Sequence, residues 1–175
     1  MARNIYVVPY QPEWPTLFKK EQDALTQALT TNNLVQIIHI GSTSVPNLTA
    51  KPIIDMLLVV KDIEALDKEN TVFTNLGYLP HGEFGIPKRR YYAKGGDNRT
   101  HQIHAFQMDN LYEIGRHVMV RDYLRNNKDA LRRYADIKTK GAALYPHDIE
   151  GYCDFKDAFV KQLEKNAIEW HWKQH

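Results

Sequence analysis

The stretch spanning residues 36–60 constrains the fold of this chain more than any other part of the sequence. It consists of two apolar runs joined through a Gly-Ser-Thr-Ser turn. The first run, residues 37–40, is short, rich in β-branched residues and closed by glycine, which is typical of a buried strand. The second run, residues 53–60, is nearly all apolar and predicts a strand covered on both faces. Two core strands are therefore expected, with polar residues at their ends.

The polar residues of this stretch predict a ligand site. Gly41 permits a tight turn, and Ser42, Thr43 and Ser44 offer hydroxyls beside backbone N–H groups of the kind that bind anions. Asp55 is the only charge in the second run. Because burying an unpaired carboxylate is costly, Asp55 is expected either at the open end of its strand or as a residue that takes part in a reaction. Ligands of layered folds also tend to bind at strand ends.

The remaining periodicities predict an α+β fold in a single domain, residues 1–175, with a sheet-containing part at 1–108 and a helical part at 109–175. Further strands are expected at 5–8, at 78–79, in a hairpin within 82–96, and at 99–107. Helices are expected at 12–30, 62–77, 111–126, 129–143 and 154–169. Leu111, Ile114 and Val118 form the apolar stripe of the helix expected at 111–126.

The strand at 99–107 carries two histidines of opposite parity. His104 alternates with Gln102 and Phe106, whereas His101 falls on the other face of a straight strand. The spacing therefore does not make the two histidines a metal pair. Either imidazole alone could serve as a metal ligand or a base, and a structural role is the alternative for each.

The predicted hairpin carries three adjacent cations, Lys88, Arg89 and Arg90, followed by Tyr91 and Tyr92. Such cations could hold phosphate while a ring stacks on a base. A solvated turn is the alternative. Residues 41–44 match neither a P-loop nor the Gly-x-Ser-x-Gly of a serine nucleophile elbow, which gives Ser42 more support as a phosphate contact than as a nucleophile.

Composition limits the classes of function. The net charge of +2 lacks the broad basic field of non-specific nucleic-acid binders, so nucleic acid is not the expected partner, although a local patch stays open. The single cysteine excludes an internal disulfide framework and a cysteine zinc cluster. The first residues lack the apolar core of a signal peptide, and no run approaches the roughly 18 apolar residues of a membrane span. A cytoplasmic protein without membrane contact is expected, of undetermined oligomeric state.

The sequence HIGSTSVPNLTAKPIIDMLLVV at 39–60 resembles the signature of the GrpB family. RTHQIHAF at 99–106, RDYLR at 121–125 and YCDFKDAFV at 152–160 follow in the order that the family shows. The resemblance implies the fold of DNA polymerase β type nucleotidyltransferases, a mixed sheet with a following helical segment. In that superfamily Gly-Ser ends one strand, and an Asp-x-Asp pair on the next strand holds divalent metals.

This chain departs from the superfamily pattern at Leu57, which stands two residues after Asp55 where the second Asp is expected. The resemblance therefore implies Mg²⁺ or Mn²⁺ at Asp55, with Glu83 or His104 completing the site. Asp55 and Glu83 are the implied catalytic residues.

The same resemblance implies that the helical part contacts the triphosphate and the base. Lysine charges suit phosphate and a tyrosine ring can stack, although solvated helix residues are the alternative. The expected nucleotide- and phosphate-binding residues are Gly41, Ser42, Thr43, Ser44, Lys51, Arg89, Arg90, Lys138, Tyr152 and Lys156.

Two functions follow, and a third stays open. The first is a metal-dependent nucleotidyltransferase acting on a nucleoside triphosphate and an unknown acceptor, by in-line displacement at the α-phosphate. The second is a non-catalytic protein that keeps the phosphate cradle and binds a nucleotide or other phosphate ligand. The missing second Asp favours the second function, whereas the retained hydroxyl turn, Asp55 and the local cations favour a bound ligand, and the enzyme is the preferred hypothesis of the two. A pure interaction domain is the third.

Overall fold

The computed structural model describes residues 3–175, so Met1 and Ala2 of the predicted domain lie outside the described residues. It contains a five-stranded mixed sheet, helices between the strands, and three long helices after them, which confirms the α+β prediction. The elements are α1 Trp14–Ala28, β1 Leu34–Ile40, a 3₁₀ turn Ser42–Ser44, β2 Ile54–Val60, α2 Ile63–Asp67, α3 Asn70–Asn75, β3 Tyr78–Pro80, β4 Arg90–Lys94, β5 His101–Gln107, α4 Leu111–Asn126, α5 Lys128–Leu144 and α6 Ile149–Lys173.

The strand order is β1-β2-β5-β4-β3, in which β2 and β5 are parallel and the other neighbours are antiparallel. The register pairs Asp55 with Ile40 on one side and with Gln102 on the other. The last residue of β1, the first residues of β2 and the first residues of β5 therefore meet at one edge of the sheet.

The sheet has two unlike faces. One face carries the main core, in which Met56, Leu58 and Ile103 are fully buried among side chains from α1, α2 and α3. The other face carries a smaller cluster centred on Leu57 and Phe106, against which Ile114 and Val118 of α4 pack. Because strand side chains alternate, Asp55, Gln102 and His104 lie on this second face.

Helix α4 ties the helical part to the sheet edge. The Arg121 guanidinium donates to the carbonyl of His39 at 3.2 Å, and Arg125 donates two hydrogen bonds, of 3.0 and 2.7 Å, to the carbonyl of Ser44. These two arginines, four residues apart on one face of the helix, hold the 3₁₀ turn in place.

Several elements differ from the predictions. Residues 5–8 form no strand, only a single bridge from Val8 to Ala50. The helix expected at 62–77 is split into α2 and α3, although Asp62 does cap α2 by accepting from Glu64 N and Ala65 N. Helix α6 starts earlier than expected because Asp148 accepts from Gly151 N. In α4, Leu111 is 75% exposed and does not join the predicted stripe.

No helix within residues 3–175 combines the length and the apolar character needed to cross a membrane.

Candidate anion-binding site

A cavity of about 430 Å³ lies between the second sheet face, the 3₁₀ turn and the helical part. The sheet edge contributes Asp55, Gln102 and His104, and the turn contributes Gly41, Ser42 and Thr43. The segment before β2, the helices and the N-terminal segment contribute the remaining polar side chains, which are Lys51, His117, Tyr134, Lys138, Cys153, Lys156 and Arg3.

The two carboxylate oxygens of Asp55 differ: one packs against Gly41, and the other has no hydrogen-bond partner among the described residues. Its side chain is 25% exposed. Oδ2 lies against Gly41, which adopts a φ of 72°. Oδ1 is buried and has no hydrogen-bond partner within residues 3–175, since the nearest donor, His104 Nε2, stands 3.5 Å away. A buried carboxylate oxygen without a partner is a place where a ligand or cation can bind.

Arg89 fixes the orientation of His104. The Arg89 Nη1 atom lies 3.3 Å from His104 Nδ1. Because a guanidinium can only donate, Nδ1 accepts, and in the neutral ring Nε2 carries the proton that points towards Asp55. His104 Nε2 therefore faces Asp55 Oδ1 at 3.5 Å without forming a hydrogen bond to it, and the role of His104 as a metal ligand stays a prediction.

The structure brings no second carboxylate to Asp55. Leu57, at the expected position, is fully buried beside Ile40 and Phe106. Glu83 lies in the exposed β3–β4 loop outside the cavity, where its carboxylate accepts from the backbone N–H of Lys88. Within residues 3–175 no three His, Cys, Asp or Glu side chains converge on a common point. The structure thus does not bring Glu83 to Asp55, because the Glu83 carboxylate holds the turn of its own loop, and its metal or catalytic role stays a prediction.

Lys138 is the most enclosed cation of the site. Its side chain is buried, and Nζ donates to Ser42 Oγ and, at 3.4 Å, to the carbonyl of Thr49. Burial, together with the nearby charges of Lys156 and Lys51, holds the pKa of Lys138 well below its ordinary value.

Lys51 and Lys156 both contact the ring of Tyr152, with their Nζ atoms 5.2 and 4.6 Å from its centroid. Burial, reinforced by the charges of Lys156 and Arg3, lowers the pKa of Lys51 to about 8. The Tyr152 ring is fully buried and does not line the cavity. The Tyr152 ring already contacts two ammonium groups, and its stacking on a base stays a prediction.

The hydroxyl turn divides into cavity-facing and structural members. The Thr43 hydroxyl donates to the carbonyl of Ile53 at 3.1 Å and therefore accepts from His39 Nε2 at 2.9 Å. The Ser44 hydroxyl donates to the carbonyl of Gly41. Both side chains are buried and both hydroxyls are engaged within the protein, and their phosphate contacts stay predictions. Gly41, Ser42 and Thr43 line the cavity, whereas Ser44 does not.

The two predicted hairpin arginines are engaged elsewhere. Arg89 is buried and donates to the carbonyls of Glu83 and Phe84 at 3.1 and 2.7 Å. Arg90 forms a two-pronged ion pair with Asp67, at 2.7 and 3.1 Å. Neither lines the cavity. Carbonyl and carboxylate oxygens of the protein already bind both guanidinium groups, and the phosphate binding of Arg89 and Arg90 stays a prediction.

The polar cavity-lining residues that were not predicted as site residues are Arg3, Gln102, His117, Tyr134 and Cys153. His117 faces the cavity with its ring 5.5 Å from that of His104, and its Nδ1 donates to the carbonyl of Glu113 at 2.7 Å. Burial lowers the pKa of His117 to about 3, so the ring is neutral. Its position three residues after Ile114 placed it on the sheet side of α4, and this signal could have found it. Nothing in the sequence pointed to Arg3.

The charges that face the cavity are unbalanced. Lys51, Lys138, Lys156 and Arg3 supply basic groups, whereas Asp55 is the single carboxylate among the described residues that line it. A concave site with low-dielectric walls and an excess of basic groups attracts anions.

A model of the GrpB protein family matches residues 4–166. UPF0157 protein YqkA of Bacillus subtilis is 40% identical over 168 residues, which cover 96% of this chain and 48% of that protein. UPF0157 protein PA4798 of Pseudomonas aeruginosa is 37% identical over 169 residues, which cover 94% of this chain and 68% of that protein. The chain thus spans about half the length of the first relative and about two thirds of the second.

A crystal structure of conserved protein GrpB from Enterococcus faecalis superposes with a TM-score of 0.91 at 46% identity, covering 95% of this chain and 99% of that one. A structure of Cid1 in complex with the UTP analog UMPNPP gives a TM-score of 0.43 at 8% identity, covering 74% of this chain and 43% of that one, a likeness too weak to support an argument. The family model and the sequence identities together show that this chain belongs to the GrpB family.

Proposed function

We propose that the cavity binds the phosphate groups of a nucleoside triphosphate. The observation that carries this proposal is the convergence of Lys51, Lys138 and Lys156 on one cavity. Within residues 3–175 none of the three forms an ion pair with a carboxylate. An incoming polyanion would therefore meet the uncompensated charges of Lys51 and Lys156, and its own charge would favour proton uptake by the buried Lys138 amine.

The size of the cavity agrees with such a ligand. Its volume of about 430 Å³ falls within the roughly 300–1,000 Å³ of typical small-molecule sites. The phosphate part of the proposal comes from the cations. The nucleoside part comes from the resemblance of residues 39–60 to the GrpB signature and, through it, to nucleotidyltransferases.

One divalent cation fits this site better than two. The unpaired Oδ1 of Asp55 offers a carboxylate ligand, and Mg²⁺ is commonly held by one or two carboxylates together with substrate phosphates. A second metal lacks a carboxylate because Leu57 occupies the required position. When bound, Mg²⁺ or Mn²⁺ would neutralise phosphate charge, while the lysines of this chain would orient the remaining oxygens.

The test is thermal unfolding with ATP, GTP, CTP and UTP, each with and without Mg²⁺. A triphosphate that binds the folded state raises Tm. Lys156→Met is expected to reduce the rise, and Asp55→Asn to remove only its Mg²⁺-dependent part. Lys161→Met is the matched control, because Lys161 lies on the same helix but is exposed and paired with Asp157 at 2.8 Å. The proposal fails if no triphosphate changes Tm.

Nucleotidyl transfer is the second candidate, and the unpaired Oδ1 of Asp55 is the observation that favours it. The acceptor is unknown, so α-radiolabelled triphosphates would be incubated with Mn²⁺ and a cellular extract. A labelled product that forms with the wild-type chain and disappears with Asp55→Asn supports transfer. If no product depends on Asp55, binding alone remains.

A further inference from the structure

Ser42 and Lys138 are in hydrogen-bond contact at the cavity wall, although they are 96 residues apart in the sequence. Ser42 is half-buried in the 3₁₀ turn, and Lys138 reaches it from α5. The Lys138 side chain is buried, and its other hydrogen-bond partner is the carbonyl of Thr49. A serine hydroxyl that faces a cavity thus has an enclosed amine as its neighbour.

The surroundings of Lys138 favour the neutral amine. Burial and the positive charges of Lys156 and Lys51 all disfavour the charged form of Lys138. The negative charge of Asp55 favours the charged form, but more weakly. In the neutral form the direction of the hydrogen bond reverses, and the Ser42 hydroxyl donates to the Nζ lone pair. Serine–lysine pairs of this kind recur on unrelated folds, where the lysine activates the serine.

The other hydroxyls of the turn have no such neighbour. Thr43 and Ser44 donate to the carbonyls of Ile53 and Gly41, which cannot accept a proton in chemistry. Thr43 also contacts His39 Nε2, but it accepts that hydrogen bond, so Ser42 is the one hydroxyl among residues 42–44 whose proton is free to pass to a neighbouring side chain. The absence of a Gly-x-Ser-x-Gly elbow does not exclude this role, because the pair is created by the packing of α5 against the turn.

We propose that Ser42 is a nucleophile and Lys138 its general base, acting on a carboxylic ester whose distal end carries a phosphate or carboxylate group. Lys51 and Lys156 line the same cavity and would hold the anionic end. This activity goes beyond the proposed triphosphate binding and does not require a metal ligand.

The step balances without a further co-reactant except water. Ser42 Oγ attacks the carbonyl carbon, its proton passes to Lys138 Nζ, and the carbon–oxygen bond to the leaving alcohol breaks as that proton is given to the alcohol. Water then attacks the acyl carbon and gives a proton to Lys138 Nζ. The bond from that carbon to Ser42 Oγ breaks, Lys138 returns the proton to Oγ, and the acid leaves with Ser42 regenerated.

The experiment uses a fluorophosphonate, which forms a phosphorus–oxygen bond with an activated serine and releases fluoride. Peptide mass spectrometry is expected to find the label on Ser42. Lys138→Met should slow labelling on the order of 100-fold or more, as expected for loss of a general base. Lys140→Met is the control, since Lys140 is exposed on the same helix. Each variant is first checked for folding by its melting curve.

Lys138→Arg separates this proposal from triphosphate binding. Arginine keeps a cation for an anion but cannot accept a proton at accessible pH, so a Tm rise with triphosphate should survive while labelling is lost. Labelling that persists in a folded Lys138→Arg or Lys138→Met chain, or a wild-type chain unlabelled at Ser42, overturns the proposal. If both variants fail to fold, the wild-type pH profile decides: the rate should level off well below the ordinary lysine pKa of about 10.4, and a rate still rising there refutes it.

Discussion

Gly41 lies directly against the carboxylate of Asp55: a Cβ placed on Gly41 would stand 2.7 Å from Oδ2 and 3.0 Å from the Asp55 Cβ. The backbone of Gly41, with φ 72° and ψ −173°, also lies in a region that is nearly restricted to glycine. The hydroxyl turn and the strand that carries Asp55 can approach this closely only because residue 41 has no side chain. The sequence motif thus reflects a steric requirement of the site.

Gly41→Ala is expected to destabilise the fold by about 2–3 kcal/mol and to displace the Asp55 carboxylate. Urea unfolding measures the first effect, and loss of the Mg²⁺-dependent Tm rise measures the second. Gly82→Ala is the control, because Gly82 has a φ of 62° but nothing within 4 Å of its added Cβ. If Gly41→Ala costs no more than Gly82→Ala, the contact with Asp55 is unimportant.

Strand periodicity made the sheet side of the site predictable. The alternation of side chains along a strand is enough to place Asp55 and Leu57 on one face and to separate His104 from His101. In the structure His104 faces the cavity, while His101 lies on the opposite face near Glu21. The two-residue period of a strand is a reliable guide because shifting the strand register by one residue would turn the buried side chains towards solvent.

The surroundings of the basic side chains could not be predicted, because they depend on contacts between elements that are distant in the sequence. The sequence presents Arg89 as a cation in a Gly-rich loop, and only folding supplies the carbonyls of Glu83 and Phe84 that bury its guanidinium. Lys138 resembled any charged helix residue, yet the packing of α5 on the turn encloses it. Local pattern does not specify which element covers a side chain, so the burial of both cations required the fold.

Leu57→Asp is expected to cost at least about 3 kcal/mol in the absence of metal, because it places an unpaired carboxylate in a fully buried position beside Asp55. Mn²⁺ should restore part of that loss by bridging the two carboxylates. The asparagine of Leu57→Asn has nearly the same shape as the aspartate of Leu57→Asp but carries no charge, so Mn²⁺ should not stabilise this variant. Urea unfolding of both variants, with and without Mn²⁺, provides the measurement. Equal responses to the metal would contradict the proposed geometry.

His39 should make stability depend on pH. Burial is the main cause that lowers the pKa of His39 from 6.5 to about 4. Between these values the unfolded chain binds more protons than the folded one, so stability should fall as the pH drops from about 6.5 to about 4, by on the order of 3 kcal/mol.

His39→Gln keeps an amide donor for the Thr43 hydroxyl but cannot titrate. Subtracting its unfolding free energy from that of the wild-type chain at each pH isolates the contribution of His39, since His117 titrates in both. The difference should shrink towards acid pH. A difference that stays constant from about pH 7 to about pH 4 would show that His39 is protonated without penalty in the folded state.

Lys51 should couple triphosphate binding to proton uptake. With a pKa of about 8, roughly half of the Lys51 side chains are neutral at that pH, and a bound polyanion favours the charged form. Binding near pH 8 should therefore be accompanied by the uptake of about half a proton by Lys51, and affinity should weaken as the pH rises further.

Calorimetry in two buffers of different ionisation enthalpy measures the proton uptake. Lys51→Arg stays charged throughout, so its uptake should be smaller by the same amount, with Lys138 contributing equally to both chains. Equal uptake by the two chains would mean that Lys51 does not contact the ligand.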